Sequence, residues 1–131
     1  MSTPVFDLAL LPFADLMGVE IVHAAPDRVE GRLVVRPDLC TAGGILHGGA
    51  AMALADTLGA IGAFLSTPEG KRTTTLESKT NFIASAVVGT TVKAAATPLH
   101  IGRRSSIWVT RIETEDGKLV AVVTQTQMTV D

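Results

Sequence analysis

The chain has 131 residues, one cysteine and a formal net charge of −2. That length suits one domain, read as residues 1–131; the slight acidity excludes a nucleic-acid footprint, and Cys40 alone makes neither an intrachain disulfide nor an all-cysteine metal site. Only 18% of residues are charged, against roughly 25% in an average soluble domain, so part of the surface is expected to be buried against another copy of the chain.

Residues Pro4 to Met17 put Phe6, Leu10, Phe13 and Met17 at helical spacing. This predicts a short amphipathic helix, bent or broken at Pro12 and ended by Gly18. Asp7 and Asp15 interrupt the segment and it lacks a basic start, so it does not read as a signal peptide; the expected location is the cytoplasm, with no membrane partner. VEIVHAAPDRVEGRLVV predicts two strands joined around Pro26-Asp27. A loop with glycines at 43, 44, 48 and 49 leads into a helix over Ala50 to Ser66, apolar almost all round, which must be enclosed. Then come three β-like runs, TTTLESKTNFIAS, TTVKAAATPLHIG and SSIWVTRIETE. Asp116-Gly117 is a hairpin signal, and LVAVVTQTQMTV is a last alternating run. Strands gathered after a helix indicate the α+β class, and the simplest enclosure is one curved antiparallel sheet wrapped around the long helix.

Asp56 stands out in ALADTLGAIGAF, where only Thr57 shares its polarity and no basic residue lies on the helix to pair with it. Burying an ionised carboxylate without a partner is costly. Asp56 therefore reads either as a residue that faces a loop or caps backbone N–H groups, or as a carboxylate held in a dry cleft as base or nucleophile. His47-Gly48-Gly49 opens the same helix. Glycines let a ligand approach the backbone, and the first N–H groups of a helix lack internal partners, which suits an oxygen that becomes negative. The plain alternative is a glycine-rich turn. Gly48 and Asp56 are eight residues apart, about 12 Å along a helix. One reacting carbon cannot lie about 3 Å from both. If both are catalytic, they come from two copies, with antiparallel helices across a two-fold axis.

GGILHGGAAMALADTLGAIGAF resembles the signature of hotdog-fold thioesterases, in the phenylacetate-degradation (PaaI-like) branch related to 4-hydroxybenzoyl-CoA thioesterases. The pattern of HGG, six residues, an acid and small residues falls here on His47-Gly48-Gly49, Asp56, Gly59 and Gly62; PFADLMGVEIV and TTLESKTNF also resemble family segments. The resemblance implies a sheet wrapped around a central helix, a homodimer with two interfacial sites, often assembled to a homotetramer, and hydrolysis of an acyl-CoA without a cofactor or metal. It implies Asp56 as catalytic acid, Gly48 as backbone donor to the thioester carbonyl, His47 lining the site and Thr75 orienting water. Gly49 and Thr41 would line the substrate site, and Arg103 and Arg104 would hold CoA phosphates. Thr41 stands where the family has Asn or Gln, and Ala84-Ser85 replace an Arg-Pro, which puts one phosphate contact in doubt. Lys71 and Arg72 read as solvated charge, His23, His100 and Cys40 as structural. Two other functions use the same residue types: a hotdog enoyl-CoA hydratase or dehydratase, and a non-catalytic acyl-CoA binding module.

Overall fold

Pro12 starts the first helix rather than breaking it. The computed structural model describes residues 6–131, so Pro4 and Val5 of the expected helix lie outside it. A 3-10 turn at Leu8–Leu10, capped by Asp7, is followed by α1 (Pro12–Met17). Proline has no N–H to lose at the first helical position and its fixed φ suits it. This shifts the buried face: Ala14 and Met17 enter the core, while Leu10 and Phe13 are 71% and 62% exposed, against the sequence expectation. Gly18, in the left-handed region at φ 84°, ends α1 as expected.

β1 (Glu20–Ala25) and β2 (Arg28–Val34) form the expected hairpin. α2 runs from Gly48 to Leu65 and is followed by β3 (Arg72–Phe82), β4 (Thr91–Ile101), β5 (Ser105–Thr114) and β6 (Leu119–Val130). All strands join one antiparallel sheet in the order β1-β2-β4-β5-β6-β3. The strand that leaves α2 therefore crosses to the far edge and, among the described residues, pairs only with β6. A bulge between Thr75 and Glu77 interrupts that pairing. Such bulges re-aim side chains locally.

α2 lies on the sheet through Ala51, Leu54, Ala55, Leu58, Ile61 and Gly62, spaced at i, i+3, i+4 and i+7. Leu54 and Leu58 are fully buried; each such burial is worth about 1.5–3 kcal/mol. By length and composition alone α2 could cross a membrane, but this buried face makes it the core helix. The opposite stripe, with Met52, Asp56, Ala60 and Phe64 four residues apart, is only partly covered by the sheet.

Two helical glycines let α2 settle closely on the sheet. A methyl group at Gly59 would overlap the Gln125 amide, and one at Gly62 would overlap the Trp108 ring. Trp108 is fully buried and donates from its indole nitrogen to Ser106 Oγ at 2.9 Å. Trp108→Ala should therefore destabilise the protein by about 3–5 kcal/mol. Urea unfolding followed by circular dichroism at fixed protein concentration measures this.

Candidate active site

Asp56 sits in the middle of α2, half-buried, and faces the inner side of β3 and β6. Thr75 donates its hydroxyl proton to Asp56 Oδ1 at 2.6 Å, and Gln125 donates from Nε2 to the same oxygen at 3.1 Å. Gln127, directly opposite Thr75 in the strand register, donates from Nε2 to Thr75 Oγ1 at 2.6 Å. The Thr75 hydroxyl thus has two partners, accepting from Gln127 and giving its proton to Asp56. Oδ2 of Asp56 receives no hydrogen bond among the described residues. Among the described residues no cation takes part, and α2 itself carries no basic residue.

Sequence reasoning singled out Asp56 and Thr75 but passed over Gln125 and Gln127. The signal was present. β6 alternates, and its inward positions run Ala121, Val123, Gln125, Gln127, all buried. Two amides at period 2 on an apolar strand face need partners there, as Asp56 does on its helix.

At the start of α2, His47 is the N-cap, and its Nδ1 accepts from the Gly49 N–H at 2.8 Å. This leaves Nε2–H as the ring's donor. The Gly49 N–H is therefore occupied, whereas the Gly48 N–H has no acceptor among the described residues. Phe82, at the end of β3, lays its ring over Gly48. A cleft of about 570 Å³ opens beside His47 and Gly49. It is lined by Phe13, Leu16, Leu39, Cys40 and Ala50, with Arg36 and Asp38 among its polar residues. A larger groove, about 660 Å³, lies on the outer sheet face among Arg28, Arg32, Lys93 and Arg111 and touches none of the singled-out site residues.

The remaining sequence candidates lie outside the Asp56 cluster. Thr41 is exposed, and its hydroxyl accepts from the Gly43 N–H at 3.3 Å in a local turn. Arg103 and Arg104 are exposed in the β4–β5 turn, with no side-chain partner among the described residues. The Arg104 carbonyl accepts from Thr129 N–H at 2.8 Å, so this turn lies at the sheet end where β3 begins. Lys71 and Arg72, at the same end, are engaged with Asp131, whose carboxyl is held below its ordinary range by the hydrogen bond and charge of Lys71. Among the described residues no three His, Cys, Asp or Glu side chains gather as a metal site would need.

The model of the thioesterase superfamily matches residues 43–121, the span from the loop before α2 into β6. The chain belongs to the thioesterase superfamily. A curated relative, the 1,4-dihydroxy-2-naphthoyl-CoA hydrolase of Escherichia coli, is 31% identical over 103 residues, which cover 79% of this chain and 75% of the relative. A thioesterase of Haemophilus influenzae superposes with TM-score 0.89 at 30% identity, covering 100% of this chain and 93% of that one. The phenylacetic acid degradation protein PaaI of Thermus thermophilus superposes with TM-score 0.82 at 29% identity, covering 89% and 97%. This thioesterase therefore has the hotdog fold of the PaaI-like branch, and its chemistry is hydrolysis of a thioester.

Proposed function

We propose that this thioesterase hydrolyses an acyl-CoA to free acid and CoA in the cytoplasm, at sites shared between two subunits. Asp56 would be the catalytic carboxylate and the Gly48 N–H the donor to the thioester oxygen. One observation carries this reading: the unbonded Oδ2 and the unbonded N–H belong to the same rigid helix. They are about 12 Å apart along it, too far to serve one carbon. A second copy with α2 antiparallel would bring the Gly48 of one subunit to the Asp56 of the other.

Two features support pairing at that place. Among the described residues β3 presents an unpaired edge of 11 residues beside the site, and bare edges of this length invite another strand. The Met52-Asp56-Ala60-Phe64 stripe is only partly covered, and Leu76 and Phe82 of β3, with Ile83 just after it, are exposed. Further assembly of such dimers would give the tetramer.

In this site the developing negative oxygen meets the Gly48 N–H and the positive end of α2. Asp56 either takes a proton from water, which then attacks the carbonyl carbon, or attacks that carbon itself to form a mixed anhydride that water opens. In both routes the carbon–sulfur bond breaks and CoA leaves as a thiolate, which is then protonated. Thr75 would hold Asp56 in place. His47, Gly49 and Thr41 would line the substrate path, the apolar cleft beside His47 would take the acyl part, and Arg103 and Arg104 would meet the CoA phosphates with their planar forks.

Mixing subunits tests the shared site. Asp56→Asn and Gly48→Pro proteins, each inactive alone, are co-expressed and the hybrid is isolated. A hybrid dimer has one site carrying both defects and one carrying neither, so it should recover about half of native activity. A hybrid as inactive as its parents means that each site is built within one chain, and the proposal fails.

A further inference from the structure

We infer that Gln125 and Gln127 are positioning residues for the hydrolysis, and that together with Thr75 they tie down Oδ1 of Asp56 and reserve Oδ2 for the reacting water or carbonyl carbon. The inference rests on the reading of Asp56 above and adds to it which oxygen reacts and what holds it.

The two amides do not have the profile of groups kept for stability. Both side chains are at most 1% exposed. Each uses its Nε2 toward the Asp56 cluster, while its Oε1 is buried without a partner among the described residues. A buried acceptor without a partner lowers stability, because the lost contact with water is not replaced. A methionine of similar length would fill the same volume without that cost. The amides therefore carry a burden on the fold, and one donates to the Asp56 carboxylate directly while the other donates to the Thr75 hydroxyl that does so.

The direction of the chain of donors matters as much as its presence. Gln127 donates to Thr75 Oγ1. With a donor on that oxygen, the Thr75 proton turns toward Asp56, where it is found. Gln125 adds a second donor to the same oxygen from the next inward position on β6. A side chain held at one oxygen from two directions cannot rotate freely about its last bond, so Oδ2 keeps one orientation. Gly59 belongs to the same device. Only a residue without Cβ lets the Gln125 amide lie against α2 one turn beyond Asp56, and the same Nε2 is 3.5 Å from the Asp56 carbonyl oxygen.

The test is steady-state hydrolysis of a chromogenic acyl-thioester panel, with thermal unfolding of the same preparations. The variants are Gln125→Met, Gln127→Met and Gln127→Glu. The methionines remove a donor and an orphan acceptor. The glutamate keeps the shape but accepts the Thr75 proton, drawing it away from Asp56. For each of the three, kcat should fall about ten-fold or more, because loosening a reacting group by even 1 Å is costly, and KM should stay within about two-fold because neither amide meets substrate. The Tm of the methionine variants should be equal to or above that of the native protein.

A loss of rate with a gain in thermal stability is the result a purely structural role does not give. Full kcat in the three variants overturns the inference, as does a fall in Tm that accompanies the fall in kcat in both methionine variants. Asp56→Asn is run alongside. If it too is fully active, there is no catalytic carboxylate to position and the reading of Asp56 falls with this one. If it is inactive while the glutamine variants are not, only the positioning role is lost.

Discussion

Asp56→Asn should lower kcat for acyl-CoA hydrolysis by about 10²–10⁴ while leaving the fold intact. The amide oxygen of asparagine can stand where Oδ1 stands and accept from Thr75 and Gln125, which donate at 2.6 and 3.1 Å. Its nitrogen then occupies the place of Oδ2, which has no bond to lose among the described residues. The substitution removes only the ability to take a proton or to attack carbon. Circular dichroism and Tm should match the native protein, and the expected result is a dead enzyme of native stability. Activity above a tenth of native would show that another group does the chemistry.

Gly48→Pro should lower kcat by about 10²–10³, the usual effect of losing one oxyanion donor. Proline takes away the one N–H at the head of α2 that has no acceptor among the described residues. The backbone accommodates it. Gly48 is the first residue of α2, where proline is favoured, and His47 before it has φ −62° and ψ 135°, the extended conformation that a residue preceding proline adopts. The Phe82 ring over Gly48 must shift slightly, which an exposed side chain at the end of a strand can do. Helicity should be retained, and a thiol-release assay should register the lost donor. Native activity would mean that the thioester oxygen is held elsewhere.

The sequence shows the repeating elements well, because their periods are written in consecutive residues. The hairpin around Pro26-Asp27, the long apolar helix and the four later strands all appear where the patterns put them. Boundaries and partners depend on contacts distant along the chain and are less visible. α2 begins at Gly48 rather than Ala50, since the His47 side chain supplies the cap that two weak helix formers lack. The buried face of α1 differs from the one the spacing predicts because Leu10 lies in the 3-10 turn before the helix. That β3 crosses to the far edge beside β6 is a long-range pairing that no local signal records. Asp56 was visible as a charge among alanines and leucines, but its bond to Thr75 spans 19 residues and its bond to Gln125 spans 69. Gln125 and Gln127 looked like ordinary polar members of an alternating strand until the sheet turned them inward.

Replacing helical glycine with alanine is a standard route to a hardier protein, worth about 0.4–1 kcal/mol wherever the backbone allows it. In α2 that recipe should work backwards. At Gly62 the new methyl has to displace an indole, and at Gly59 it displaces the amide that steadies the acid. Programmes that raise heat tolerance by enriching helices in alanine should leave these two positions alone. A library selected for survival at high temperature should return glycine at both, because alanine at either position meets a buried side chain that has no room to move away.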